Sequence, residues 1–331
     1  MMTGNLSRRL DFNPLHHPIC ARIPGRNDVL SAWNGHTPFA MCLMDLAKPR
    51  VFVELGTHWG VSYCAFCQAV CELGLSTQCY AVDTWEGDPH ASFYTSEVYN
   101  DLKAYHDPHY SHFSKLLRLT FDDALSRFRD GTIDVLHIDG YHTYEAVTHD
   151  FKSWLPKLSD RAIVLFHDTN VRDVETFGVW KFWDEVKHKY PAFEFLHSYG
   201  LGVLAVGVSL PEGLRDFFNM PAERSEEVRQ FFANLGDHLT QLNNSALQLE
   251  NLQEILDAKV EENSQIQATL SASVSLRNVL RRDVSRIRDQ ALVRTISIAR
   301  QIPGLRPIVR SARSMVRMVR TPVSGHERRP T

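Results

Sequence analysis

One short run constrains what this chain can fold into: Val51-Phe52-Val53-Glu54-Leu55-Gly56-Thr57-His58-Trp59-Gly60. A β-branched and aromatic stretch reads as a buried strand and ends in an acid, Glu54. Glycines at 56 and 60 follow, and then an apolar segment, Val61–Val70, with the look of a helix. Strand, glycine turn and helix together make a cradle. Gly56 lets the backbone come close to a ligand, and the first turn of the helix offers free N–H groups. The spacing is E-x-G-x-x-x-G. It is not the G-x-G-x-x-G of a dinucleotide site.

The pattern then repeats as alternating strands and helices. A helix is expected over 36–46, with Thr37 as cap and Pro38 in its first turn. Strands are predicted at 51–55, 78–83, 116–119, 133–139 and 161–167, with helices at 61–73, 122–129, 143–153 and 177–189. The internal strands lack a strict polar alternation, as strands buried on both faces do. The last two strands, 193–198 and 202–207, are joined by a short link and read as an antiparallel hairpin. The expected fold class is α/β: a doubly wound, Rossmann-like sheet that ends in that hairpin and is followed by a helical extension. The expected organisation is an irregular segment over 1–35, the α/β domain over 36–208, a helical linker and coiled coil over 209–290, and an arginine-rich tail over 291–331.

Charge is distributed unevenly. The net charge is −3, yet residues 277–331 hold 14 arginines, no lysine and three acids, so that end carries +11 and the remainder −14. Such an end suits an anionic partner. Arg306, Arg310, Arg313, Arg317 and Arg320 fall within roughly 80° of arc on one helix face, with apolar residues opposite. That pattern suits an anionic membrane surface, with docking on a partner protein or disorder as alternatives. Nucleic acid ranks last, because few aromatics interleave with the arginines. Upstream, Leu235, Leu242, Leu249, Leu256 and Leu270 form one heptad seam, broken at Asn263, and Leu239, Ala246, Val260 and Val274 the other, broken at Gln253 and Gln267. The seams predict a coiled coil that makes a homo-oligomer. A long helix packed on the domain is the alternative. Cys64, Cys67 and Cys71 share a helix face, and without a second ligand set they read as small packing residues. No run is long enough to cross a bilayer and the first residues lack the apolar stretch of a secretion signal. The expected location is the cytoplasm, with the arginine helix at the inner face of the plasma membrane.

Doubly wound sheets bind ligands at the carboxyl ends of their strands. Those ends here carry Glu54, Asp83, Asp122 with Asp123, Asp139 with His142, and His167 with Asp168. A carboxylate such as Asp83 can accept from both hydroxyls of a ribose. Asp122 either caps a helix or reaches a base. Asp139, Asp168 and an imidazole can hold a divalent ion, with Mg2+ or Mn2+ favoured by the oxygens. His142 suits a general base. The aromatic and histidine-rich stretch 86–113 is too long for a plain connection and reads as a lid or acceptor wall, or else as a surface helix pair.

The segments ELGTHWGVSY, AVDTWEGD, IDVLHIDGYHTYEAVTHDFKSWLPKL and VLFHDTN together resemble the class I S-adenosyl-L-methionine (SAM) methyltransferases of bacteria, in particular the group similar to cephalosporin hydroxylase and macrocin O-methyltransferase. The resemblance spans roughly residues 33–208. It implies SAM as cofactor, held by Glu54, Gly56, Gly60 and Asp83, with Thr57 of the turn and Asp122 as further candidate contacts. For a Mg2+ site it implies Asp139 and Asp168, beside which His167 is the third candidate ligand, while the strand-end reading itself makes His142 and Asp139 the candidate catalytic residues. His167 stands where some relatives carry a second acid. The implied reaction is O-methylation of a sugar hydroxyl in a cell-surface glycan or glycolipid. A small secondary metabolite as acceptor and a non-enzymatic scaffold are the alternatives.

Overall fold

The structure, a computed structural model, describes residues 12–27, 29 and 31–301, the last three by backbone alone. The arginine face expected over Arg306–Arg320 lies outside the described residues. Two compact units are present, Met1–Leu249 and Glu250–Thr331.

The first unit is built on a seven-stranded sheet. Its strands are β1 (Val51–Leu55), β2 (Gln78–Asp83), β3 (Ser114–Arg118), β4 (Ile133–Ile138), β5 (Leu158–His167), β6 (Ala192–Phe195) and β7 (Leu201–Ala205). They lie in the order β3-β2-β1-β4-β5-β7-β6. Neighbours from β3 to β5 are parallel, and β7 runs antiparallel to both β5 and β6. The expected fold class is therefore the one observed, terminal hairpin included. Strand order reverses on either side of β1, so the crevice between the ends of β1 and β4 is the switch point.

Alternate residues of each strand feed two cores, which is why the strands show no polar face. Phe52, Ala81, Val135 and Leu165 enter one core, with helices α1 (Thr37–Ala47) and α2 (Val61–Glu72) over it. Val53, Val82, Leu136 and Phe166 enter the other, beneath α4 (Tyr144–Trp154) and α5 (Val179–Val186). Cys64 and Cys67 are buried in the first core, as packing residues would be, and Cys71 is exposed.

The stretch 86–113 holds a two-strand ribbon (Gly87–Asp88 with Ser92–Phe93) and then α3 (Ser96–Tyr110), capped by Thr95. The helix expected at 122–129 is shorter, a single turn over Phe121–Ala124 and a 3-10 turn after it. Thr120 caps it and accepts from Asp123 N–H.

After α6 (Glu212–Phe218), helix α7 runs from Ala222 to Gln301. Its first turns belong to the domain core: Val228, Phe232 and Leu239 are buried and Leu235 packs beside them. The first members of the predicted seam thus pack on the domain and not on another helix. Heptad spacing cannot separate these uses, since both need a leucine every seven residues. In the second unit the helix carries Leu256, Val260, Leu270 and Val274 exposed. No described helix is long and apolar enough to cross a membrane.

Candidate functional site

A cleft of about 630 Å3 opens at the carboxyl ends of β1, β2, β4 and β5. Its floor is the glycine turn. Gly56 has φ +85° and Gly60 φ +77°, a left-handed region that L side chains rarely adopt. Gly56 N–H donates to Val82 O and Asp139 N–H to Leu55 O, which pins the turn between the neighbouring strand ends. Gly60 ends the turn and α2 begins at Val61 with no side-chain cap, and Gly60, Val61 and Ser62 line the cleft.

Asp83 fastens this turn. Its Oδ2 accepts from Thr57 N–H (2.8 Å) and His58 N–H (2.9 Å), and its Oδ1 accepts from Trp85 N–H (2.7 Å). Three of about four acceptor positions are thereby committed, which leaves roughly one for a ligand hydroxyl. The acid that the sequence suggests for a ribose thus also acts as a clamp on the backbone.

Glu54 is placed differently from Gly56, Thr57, Gly60 and Asp83. Those four line the cleft. Glu54 points into the first core, fully buried, with Oε2 2.8 Å from His137 Nδ1 on the adjacent strand. Burial pushes its carboxyl above the usual carboxylate range, against the pull of His137. Asp122 also stands apart: its side chain is 63% exposed and accepts from the ring of His149 at 2.8 Å. It is not among the residues that line the cleft, whereas its neighbours Thr120 and Phe121 are.

At the ends of β4 and β5 the predicted acids and imidazoles do meet. His142 Nε2 lies 3.0 Å from Asp168 Oδ2 and 3.7 Å from Asp139 Oδ1. His167 Nδ1 lies 3.4 Å from an oxygen of each acid. Gly140 permits the β4 end to turn there, since a Cβ would meet the Phe121 ring. Asp168 itself has φ +61°, a costly conformation for a residue other than glycine, though Asp and Asn bear it best. Phe177 stacks on His142, rings 4.7 Å apart and 4° from parallel. Gly178 N–H donates to His142 O at 2.7 Å, which holds the residue from its backbone side.

The electrostatics follow from this packing. Burial works against charge on His142, but its contacts with Asp139 and Asp168 win and hold it at about 9. For His167 burial likewise opposes the charge, and the two acids again raise it well above its ordinary value. Asp139 and Asp168 are drawn below the usual carboxylate range despite burial, His167 being the largest favourable influence on each. A raised imidazole stabilises the fold fully below its unfolded pKa, near 6.5, and that stability is lost as pH rises through the folded value. Thermal melts of the wild type in a chelator should therefore show on the order of 3 kcal/mol lost between pH 6.5 and 10 through His142 alone. His142→Gln should give a flatter profile over the same range, and parallel profiles would contradict the ion pairing.

Asp139, His142 and Asp168 each turn one ligand atom to a common point, the three atoms lying within 4.8 Å of one another. Two carboxylate oxygens and an imidazole nitrogen suit a divalent cation. The sequence reading put His167 third in that set. The structure packs His167 against Trp33 and His36, 5% exposed, and brings His142 into the converging set, while both rings line the cleft.

Sequence reasoning missed several residues of the site. Trp33 and Phe177 line the cleft from distant segments, and no local pattern marks them, whereas Tyr94 of the cleft wall falls in the aromatic stretch 86–113. His137 had a signal: a polar residue in the buried phase of strand Ile133–Ile138 must find a partner, and Glu54 is its register neighbour.

Residues 53–169 match the family described as a methyltransferase domain. An uncharacterized protein of Sinorhizobium fredii is 45% identical over 233 residues, which is 70% of this chain. The chain spans 25% of that protein's length. Among solved structures, a putative caffeoyl-CoA O-methyltransferase from Staphylococcus aureus is similar at 13% identity and TM-score 0.42, over 52% of this chain and 83% of the other. The O-methyltransferase TomG from Streptomyces achromogenes, involved in tomaymycin synthesis and solved with SAM, gives 14% identity and TM-score 0.41 over 58% and 87%. The family match is confined to residues 53–169 and agrees with the resemblance of the sequence to SAM-dependent methyltransferases.

Proposed function

We propose that the chain is a SAM-dependent O-methyltransferase acting on a sugar hydroxyl of a cell-surface glycan or glycolipid intermediate. The observation that carries the reading is the meeting of Asp139, His142 and Asp168 on the wall of the same cleft into which the Gly56–Gly60 turn opens. SAM lies along that turn, with Asp83 offering its remaining acceptor position to the ribose. The acceptor enters beside Tyr141 and Tyr199, whose 37% and 59% exposed rings suit the apolar face of a sugar.

In the reaction the acceptor oxygen attacks the methyl carbon, a C–O bond forms, the S–CH3 bond breaks and its electron pair stays on sulfur. S-adenosylhomocysteine leaves, and the hydroxyl proton passes to His142 Nε2. Most of the catalysis is positioning, with proton removal adding to it. His142 can accept the proton only when it is neutral, and its carboxylate partners keep it protonated at pH 7. A divalent ion at Asp139 and Asp168, Mg2+ in the simplest case, would supply the missing positive charge and polarise the hydroxyl.

The C-terminal extension is read as an assembly and anchoring device. The leucines of the second unit, exposed at 55% for Leu256 and 63% for Leu270, support a homo-oligomeric coiled coil. The charge of the last residues supports contact with an anionic membrane surface.

The test is calorimetric titration with SAM and S-adenosylhomocysteine, on the wild type and on Asp83→Ala. Micromolar binding is expected in the wild type, weakened at least about 30-fold in the variant, because the loop loses its clamp as well as a ligand contact. A screen of glycan acceptors with labelled SAM follows. Absence of SAM binding would remove the enzyme reading, and binding without transfer to any glycan would remove the proposed acceptor.

A further inference from the structure

We infer that the acceptor sugar is uncharged and already part of a glycan, clear of any phosphate, so that this methylation follows a glycosyl transfer. The inference rests on the sugar O-methyltransferase reading and names the form in which that sugar arrives.

Charge on the cleft wall carries the argument. Asp83, Asp88, Asp139 and Asp168 line the cleft, and among the described residues that line it there is no lysine or arginine. Asp139 and Asp168 are matched by the imidazoles of His142 and His167 close by. Asp83 and Asp88 have no such match. Their oxygens accept from backbone N–H groups, those of Thr57, His58 and Trp85 for the first and of His90 and Ala91 for the second. SAM brings one net positive charge, which offsets one of these two acids and leaves the other to repel an anion.

Three arginines touch or adjoin lining residues, and each is held by other partners. Arg26 donates to Trp59 O at 3.2 Å and pairs with Asp101. Arg118 donates to Thr84 O at 3.0 Å and lies over the Tyr99 ring. Arg172, next to Val171, lies over the Trp180 ring and pairs with Asp184 at 3.4 Å. A phosphate is otherwise held by free backbone N–H groups. In the glycine turn Gly56, Thr57, His58 and Gly60 already donate, to Val82 O, Asp83 and Thr57 O. A sugar activated for transfer carries phosphate directly on its ring, within one sugar unit of the hydroxyl that reacts. A sugar already joined to a glycan carries none, and it presents hydroxyls and an apolar face to Tyr141 and Tyr199. The reaction that supplies the substrate is therefore transfer of the sugar from its phosphate-activated donor to a glycan hydroxyl.

The experiment measures methyl transfer from labelled SAM, by the full chain, to acceptors that differ in charge. Methyl hexosides and short neutral oligosaccharides are set against the matching hexose 1-phosphates and nucleoside diphosphate hexoses, in whichever of Mg2+ or chelator supports turnover. The neutral member should be preferred at least about tenfold in kcat/KM at low salt. The preference should shrink by about threefold or more in about 1 M salt, which screens charges. It should also shrink in Asp88→Asn, whose side-chain oxygen still accepts from His90 and Ala91 N–H, and in Val174→Lys, which puts a cation at a 41% exposed position of the cleft. Thermal melts of each variant establish that it is folded. Equal or better transfer to the phosphorylated member would overturn the inference. So would a preference that neither salt nor either variant moves, since that is exclusion by shape. SAM titration of the same samples separates the failures. Transfer to the phosphorylated member sinks this inference alone. Transfer to neither member with SAM bound sinks the sugar reading and the inference with it, and SAM not bound sinks the methyltransferase reading.

Discussion

Gly56→Ala should abolish measurable SAM binding, a loss of at least about a hundredfold, and lower stability by about 2–4 kcal/mol. Two effects add at this position. The residue sits at φ +85°, which any L side chain resists. A Cβ would also lie 2.6 Å from the carbonyl carbon of Asp139 and 3.0 Å from Gly140 Cα, both backbone atoms that cannot swing aside. The turn must then move, and with it the N–H groups that Asp83 holds. Gly74→Ala separates the causes. Gly74 has a similar φ of +62°, but a Cβ there would meet nothing within 4 Å. It should cost only about 1 kcal/mol and leave SAM binding unchanged. SAM titration and thermal melts of the two variants decide the matter. Equal losses in both would mean that the close approach to Asp139 is unimportant.

The same glycine turn shows why so much of the fold could be read from the sequence. Strand, acid, glycine pair and helix are consecutive, so their relation is local, and three of the later strands lead into a residue that cannot be buried cheaply: Asp83, Asp139 and Asp168. Alternation of such segments leaves few topologies, and the doubly wound sheet with its closing hairpin is one of them. The site was legible only as far as its members lie at strand ends. Which histidine converges with the two acids on one point was not, because each lies close to a strand-end acid, His142 three residues beyond Asp139 and His167 directly before Asp168. The difference arises from Trp33 and His36, which come from before the first strand and cover His167. Glu54 shows the reverse problem. An acid four residues into a strand reads as a ligand contact, but its phase along β1 turns it into the core, where His137 waits on the next strand. Strand phase was open to reading from the sequence. The identity of the partner across the sheet was not, since register between β1 and β4 depends on contacts 80 residues apart.

Asp168→Asn is the substitution that tests the chemistry with least disturbance. Asparagine is isosteric with aspartate and accepts the left-handed conformation almost as well, so the φ of +61° need not change. What is lost is one negative charge 3.0 Å from His142. Turnover should fall roughly a thousandfold through loss of the charge that orders His142, the acceptor and any bound ion. SAM affinity should stay within about threefold, because the Gly56–Gly60 turn and Asp83 are untouched. The remaining acid, Asp139, then faces both His142 and His167 alone, and the hold on protonated His142 weakens. In metal-free protein its pKa should move down from about 9 toward its ordinary value, which proton resonances of the ring can follow. The double variant Asp168→Asn with His142→Gln should be little worse than either single change, since groups acting as one unit lose their function together. Additive losses would instead mean that the acid and the imidazole act in separate steps, and the acceptor would then have to be deprotonated by a group other than His142.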